Sequence, residues 1–405
     1  MFKKCLCRSL RCSCIFLGLA AVIFLAKEWL FFRFPIQTFE PKSVPTVTKR
    51  SSGVLLMWDH PWAVGFTSEP EGTRFGRCNL TYKRERIEEA DAVIFHLTTI
   101  SKKDIPWQHY RSPKQLFVFW SKENPWAMRY LYRTDFKAFD NFFNMTMTYH
   151  KNSDLYSGYG TRRNVYNMVE KGANVLDKLL SEKSKLAIWI VSNCDTMRGA
   201  VERMNYYKEI VATGFSVESC GRCFKACSQL PSYKSEQWGA EIKKYKFYFS
   251  FENNIGCKDY ITEKFWEAPL WYGVIPVVWG PTVDDVIAVA PRNSFIHADW
   301  FKTAADLVEY LQYLDGNNTA YLEYFKWRED PHLTIEEMEK QIQSEHPDVE
   351  IFSAPTSSNF TMLCNAALDQ TPEQSWLVSS LNQKLMGDER ASCMEPGKWK
   401  DVSVV

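Results

Sequence analysis

Apolar positions along this chain gather into short runs bounded by polar residues. "GVLLMW" from Gly53, "ADAVIFH" from Ala90 and "QLFVFW" from Gln115 are three such runs. Their length and their β-branched and aromatic content predict buried strands. Polar or helical material separates them, and strand alternating with helix predicts a parallel sheet. A second series follows. "ANVLDKLLSEKSK" from Ala173 predicts a helix, "LAIWIVSN" from Leu186 a buried strand ending in small polar residues, and "AVERMNYYKEIVATG" a helix closing at Gly214. "KFYFSFEN", a helix opening at Thr262 and "GVIPVVWG" complete that series. The expected fold is α/β: two doubly wound, Rossmann-like domains, 53–172 and 173–345, facing one another across a cleft, with the boundary between Thr161 and Ser184. Beyond Glu329 the pattern weakens into a charged helical piece, and 346–405 reads as a C-terminal tail.

The N-terminus carries a different pattern. Lys3, Lys4, Arg8 and Arg11 precede any acidic residue, and Cys12 to Phe32 is apolar apart from Lys27 and Glu28. A spanning helix needs about 17 to 25 residues, and basic residues ahead of it leave the tail, 1–11, in the cytosol and send the rest to the lumen. Residues 12–32 are therefore expected to be a transmembrane signal-anchor. A cleaved signal peptide, the competing reading, wants a shorter apolar region. Residues 33–52, rich in Pro, Ser, Thr and Lys, read as a stem.

A lumenal address changes how cysteines and asparagines are read. Eight cysteines follow the anchor, an even number suited to disulfides whose pairing the sequence leaves open. "CGRCFKAC", Cys220 to Cys227, has no second pair or nearby His and reads as disulfide-bonded rather than zinc-binding. Sequons stand at Asn79, Asn144, Asn317 and Asn359. The net charge of +1, with Lys and Arg spread along the chain, gives no footprint for nucleic acid. An aromatic share of 15% suits stacking on sugars and suits large cores equally.

Candidate chemistry centres on Phe247 to Pro281, "FYFSFENNIGCKDYITEKFWEAPLWYGVIPVVWGP". Strand, polar loop, helix and strand in this order place a crevice beyond the strand ends, although ordinary βαβ units share the pattern. Thr262 is expected to cap the helix, and Lys264 in its first turn, unfavourable against the dipole, either points to an anionic ligand or is an exposed lysine with no role. Pro269 is expected to bend or end that helix around Ala268. Ser192 and Asn193 lie at a strand terminus. Arg203 either offers its planar fork to phosphate or pairs on the surface with Glu202 or Glu209. Glu123, after a strand and before Asn124-Pro125, is placed for general-base work or is a solvated loop glutamate.

"FENNIGCKDYITEKFW" with "GVIPVVWGP", supported by "VLLMWDHP", "WSKENP", "FNMTMTYHKNSDLYSGYG", "VSNC", "SFIHADWF" and "YLEYFKWR", resembles the α-1,3-fucosyltransferase family over about Gly53 to Arg328. The resemblance implies a GT-B fold, a single-pass type II Golgi membrane protein, GDP-fucose as donor, and inverting transfer of fucose to the 3-hydroxyl of a GlcNAc in a glycan. It implies Glu123 as base, and donor contacts from Arg203, Tyr248, Asn253, Tyr260, Glu263 and Lys264, with Tyr159, Ser192 and Asn193 near the nucleotide. In that reading Glu263 serves ribose or fucose hydroxyls and Lys264 the diphosphate. The longer segment after Asn193 leaves Arg198 as an alternative to Arg203; Gly256 and Cys257 lengthen the signature loop, and the chain beyond Asp330 departs from Lewis-type members. The acceptor stays open between N-acetyllactosamine antennae and the N-glycan core. No Asp-x-Asp triplet occurs, so Arg203, Lys264 and the helix terminus are expected to serve the diphosphate, with no cofactor or metal required and a divalent ion at most stimulatory. Other readings are a different nucleotide-sugar donor on the same fold, or a non-catalytic lumenal carbohydrate-binding protein.

Overall fold

A computed structural model describes residues 51–59, 69–96, 104–109, 111–224, 227, 230–369, 377–387 and 393. The expected anchor and nearly all of the expected stem lie outside these residues; among the described ones no helix is long and apolar enough to cross a membrane.

Both expected sheets form. The first has order β2-β3-β1-β4-β5-β6-β7, from β1 Gly53–Met57, β2 Arg74–Phe75, β3 Cys78–Thr81, β4 Ala92–His96, β5 Leu116–Ser121, β6 Met145–Thr148 and β7 Leu155–Tyr156. All its pairings are parallel except β2 with β3. The second is wholly parallel with order β12-β11-β10-β8-β9: β8 Lys185–Ile190, β9 Glu218–Cys220, β10 Tyr245–Phe251, β11 Ile275–Trp279 and β12 Ile296–His297. The helices are α1 Arg162–Met168, α2 Val175–Ser181, α3 Arg198–Ala212, α4 Glu236–Ile242, α5 Glu263–Phe265, α6 Val283–Val289, α7 Ala304–Gly316, α8 Asn318–Leu322, α9 Ile335–Glu345, α10 Asn359–Asp369 and α11 Leu381–Met386.

Helices on both faces bury the strands, so the runs are continuously apolar. Strand β10 shows what the two-residue period then does. Phe247, Phe249 and Phe251 face a core with Trp189, Ile210 and Leu307. Tyr248, Ser250 and the following Glu252 fall on the opposite face, toward α5. Each fully buried large apolar side chain contributes about 1.5–3 kcal/mol, so these faces fix the register.

Three expectations change. The domain boundary falls before Thr161, not at residue 172. In α1, Val165, Tyr166 and Val169 pack with Phe265, Trp266 and Leu270 of the second half. The buried Arg162 donates to the Ala290 and Ala288 carbonyls at 2.8 and 3.0 Å. The C-terminal region is no tail: it completes the first domain. Phe360, Leu363, Cys364 and Ala367 of α10 cover one face of the first sheet, while Leu381 and Leu385 of α11 join Phe95, Phe117 and Phe119 on the other. Of the two outcomes expected at Pro269, bending or ending the helix, the ending does not occur. The winding widens into a π-turn over Trp266–Leu270, which accommodates the proline ring, and the helix runs on through Tyr272.

All eight cysteines from Cys78 onward are paired, as Cys78–Cys364, Cys194–Cys223, Cys220–Cys227 and Cys257–Cys393. Cys78–Cys364 ties α10 to β3. Cys257–Cys393 ties the lengthened signature loop to the far end of the chain. Asn79 is exposed, whereas Asn317 and Asn359 are half-buried. Asn144 is buried, its Oδ1 accepting from the Phe117 amide at 2.8 Å and from Arg111 at 3.2 Å. A glycan there does not fit this fold, which corrects one of the four expected sites.

Leu363, fully buried under the first sheet, tests the reassignment of the C-terminal region. Leu363→Ala is expected to cost about 2–5 kcal/mol in denaturant unfolding with GDP affinity unchanged; a residue in a loose tail would change stability by about 0.5 kcal/mol at most.

Candidate active site

The site is built where β10 runs out. Glu252, the residue after the strand, is 1% exposed, and its amide donates to the Trp279 carbonyl at 3.0 Å. Its carboxylate accepts from the Thr262 amide at 2.7 Å, from the Thr262 hydroxyl at 2.8 and 2.9 Å, and from Lys264 Nζ at 3.2 Å. Thr262 does stand at the helix start, but its hydroxyl serves Glu252 and Lys264 rather than capping the helix. Lys264 Nζ contacts Thr262 Oγ1 at 2.7 Å and Glu263 Oε1 at 3.0 Å, so three acceptors share its three N–H bonds.

Electrostatics follow from that packing. Burial pushes the Glu252 carboxyl up, opposed by Lys264. Burial alone would depress Lys264, yet Glu252 and Glu263 outweigh it and raise the ammonium above its ordinary value. Glu263 is held below the usual carboxylate range because Lys264 overcomes the effect of burial. The ammonium is thus firmly charged, and half-exposed Glu263 is its most replaceable partner.

Arg203 is neither a surface partner of Glu202 or Glu209 nor a free fork, because both its terminal nitrogens bond main-chain carbonyls. It is 2% exposed and donates to the Phe251 carbonyl at 2.6 Å and the Asn193 carbonyl at 2.7 Å. Burial brings it down to about 10 against the pull of Glu252, so it stays charged at neutral pH. Its Nε is buried without a partner, as is Asn253 Oδ1. Arg198 instead lies half-exposed on the outside of α3, 3.7 Å from Glu202. The α3 N-terminus has no side-chain cap, and Gly199 presses so close to the loop that a Cβ would sit 2.5 Å from the Asn254 Cα.

Glu123 comes from the other sheet, two residues beyond β5. Its carboxylate accepts from the Tyr260 hydroxyl at 3.4 Å. The Tyr260 ring packs edge-on against Tyr159, whose hydroxyl donates to the Lys122 carbonyl at 2.7 Å. Burial raises the Glu123 carboxyl above its ordinary range, with Lys264 opposing and Glu263 reinforcing the shift. A half-buried carboxylate with raised proton affinity suits proton abstraction.

Most of the residues named from the sequence therefore converge. Glu123, Tyr159, Arg203, Asn253, Tyr260, Glu263 and Lys264 lie close together where the two sheets' strand ends meet, with Tyr248 nearby, its hydroxyl pushed up by burial and by Glu263 and Glu252. Asn193 enters through its carbonyl, while its side chain accepts from Thr196 at 2.6 Å. Ser192 sits further out, its carbonyl accepting from Arg222 at 3.0 Å. Sequence reasoning missed Glu252, Asn124 and Asn254. Asn254 Nδ2 donates to the buried Asn124 Oδ1 at 2.9 Å, bonding the two halves directly beside Glu123. An acidic residue ending an aromatic strand and the Asn-Asn pair after it were the available signals. Among the described residues, one group has metal-ligand spacing, Glu218 with Cys220 and Cys227, and the disulfide occupies its thiols.

A carboxylate from one sheet facing cations from the other defines a group-transfer site shared between two Rossmann-like halves, the arrangement of a GT-B-like glycosyltransferase. Residues 180–384 match "Glycosyltransferase family 10 (fucosyltransferase) C-term", and 50–160 match "Fucosyltransferase, N-terminal". The chain belongs to this fucosyltransferase family. It is 36% identical over 285 residues to the 4-galactosyl-N-acetylglucosaminide 3-alpha-L-fucosyltransferase FUT6 of Pan troglodytes, covering 68% of this chain and 73% of that one. To the protein of that name from Homo sapiens it is 34% identical over 310 residues, covering 73% and 77%. A crystal structure of an alpha1,3-fucosyltransferase with GDP-fucose aligns with a TM-score of 0.46 at 17% identity, covering 76% of this chain and 93% of that one.

The raised proton affinity of Glu123 sets a pH dependence. A base must be unprotonated to act, and a raised pKa moves its protonation to higher pH. The acidic limb of kcat/KM is therefore expected above the ordinary glutamate range near 4.3, and Glu123→Asp should shift it. A limb at or below that value would contradict the burial described.

Proposed function

We propose that the protein transfers L-fucose from GDP-fucose, with inversion, to the 3-hydroxyl of a GlcNAc in a glycan, and that it does so in the Golgi lumen from a type II membrane anchor. The observation that carries this reading is the opposition of Glu123 to the Lys264–Arg203 cluster across the cleft. Inversion in a single displacement needs one base on the face opposite the leaving group. Glu123 takes the proton of the acceptor hydroxyl while that oxygen bonds the fucose anomeric carbon and the bond to GDP breaks.

The leaving diphosphate gains charge as it departs, and preorganised cations lower that barrier. Lys264 supplies an N–H by exchanging Glu263, and Glu263, released, accepts from a sugar hydroxyl. Arg203 contributes charge, and its unpartnered Nε and the unpartnered Asn253 Oδ1 are a donor and an acceptor left for the nucleotide sugar. The uncapped start of α3 adds first-turn N–H groups favourable to an anion. On the acceptor side, Tyr130 within the π-turn Ala127–Leu131 and Tyr132 just after it, 54% and 41% exposed, offer ring faces to a sugar.

The relatives' names describe transfer to position 3 of a 4-galactosylated GlcNAc. An acceptor panel holding that disaccharide and an N-glycan core, read by mass and linkage with GDP-fucose, tests the assignment; transfer only from a non-fucose donor would overturn it. Glu123→Gln keeps size but cannot take the proton. Turnover is expected to fall by about 10²- to 10⁴-fold with GDP affinity little changed. Loss of GDP affinity as the main defect would remove Glu123 from the role of base.

A further inference from the structure

Away from the cleft, the second sheet ends at β12, whose outer edge has no strand partner among the described residues. Helices α7, α8 and α9 close over that end and leave a cavity of about 390 Å³. No residue of the candidate active site lines it. Its walls include Trp300, Tyr310, Tyr313 and Tyr324, and its rim carries Arg292 and Glu345, bonded Nε to Oε1 at 2.8 Å. Trp300 and Tyr313 are 48% and 53% exposed.

Ring faces beside a guanidinium and a carboxylate suit a pyranose. Its C–H faces pack on aromatic rings, and its hydroxyls bond to the charged rim. The volume lies within the range of about 300–1,000 Å³ found for small-molecule sites.

The occupant is indicated by the sequon Asn317-Asn318-Thr319, at the junction of α7 and α8. Asn317 Oδ1 accepts from the Ala320 amide at 3.1 Å, which fixes the side-chain amide. Asn317 Nδ2, the atom on which an N-linked glycan is built, donates to the Tyr313 hydroxyl at 3.1 Å. Tyr313 and Ala320 both line the cavity. Nδ2 has two hydrogens, so one can keep the Tyr313 bond while a sugar replaces the other.

We propose that this cavity seats the chain's own N-linked glycan at Asn317, its first GlcNAc rings packed against Tyr313 and Trp300 with hydroxyls at Arg292 and Glu345. In the attachment, Nδ2 loses a proton and bonds the anomeric carbon of the sugar as the lipid diphosphate of the glycan donor leaves. The proposal rests on the lumenal placement given above, and it makes the glycan a packed part of the donor domain.

The test uses the full chain expressed in a glycosylating eukaryotic cell. Folded and denatured samples are treated with peptide N-glycosidase, and release is followed at each sequon by mass spectrometry. In the folded protein the Asn317 glycan is expected to leave at least about tenfold more slowly than the Asn79 glycan, with equal rates after denaturation. Trp300→Ala and Tyr313→Ala, both at exposed positions outside the cleft, should remove that protection while fucosyl transfer is retained.

An Asn317 that carries no glycan while Asn79 does overturns the proposal and leaves the lumenal reading standing; no glycan at any sequon overturns both. Equal release rates in the folded protein also overturn it. If the cavity then binds added N,N′-diacetylchitobiose, the site belongs to a glycan of another molecule.

Discussion

A single buried carboxylate organises this site. Glu252 ends β10, and a charge in that position is costly unless every lone pair is used. The chain meets the cost with the Thr262 amide and hydroxyl and with Lys264. Those bonds fold the polar loop back onto the strand end, start the helix at Glu263 and fix the ammonium over the cleft. Because burial favours the neutral carboxyl while Lys264 favours the charged one, each needs the other. The firmly charged ammonium of Lys264 therefore exists because the strand ends in an acid.

The same loop joins the halves. Its next residues contribute the Asn254–Asn124 bond, the close approach of Gly199 and the Tyr260 hydroxyl that reaches Glu123. Glu123 and the cations are thereby set by one stretch of chain, although they belong to different sheets. The C-terminal region reinforces the arrangement from outside: Cys257–Cys393 holds the loop, and Cys78–Cys364 holds α10 beneath the first sheet.

The strands were legible because sheets covered on both faces demand uninterrupted apolar runs, and "ADAVIFH" and "LAIWIVSN" can satisfy little else. Glu123 was singled out by its strand-end position, Lys264 by the first turn of its helix and Arg203 by its place one turn before Tyr207, and family resemblance pointed to all three. Glu252 was not singled out, since its importance lies in bonds to residues ten and twelve positions away. The alternation of Phe247, Phe249 and Phe251 with Tyr248, Ser250 and Glu252 held the clue that one face of β10 turns polar toward the helix start. The helices that complete the first domain were read as a tail because amphipathic spacing shows that α10 needs a partner, not that the partner lies nearly 300 residues earlier. The π-turn at Pro269 escaped for a similar reason: local rules end an α-helix there, and packing of Trp266 and Leu270 keeps the wider winding in place.

Calorimetric GDP binding to Glu252→Gln tests the organising role of this carboxylate most directly. The substitution keeps side-chain volume but removes the charge that holds Lys264 and Thr262, bonds of a kind worth about 1.5–3 kcal/mol each. The account predicts a protein that unfolds cooperatively and binds GDP about ten- to a hundredfold more weakly. Unchanged or tighter GDP binding by a folded Glu252→Gln protein would contradict it.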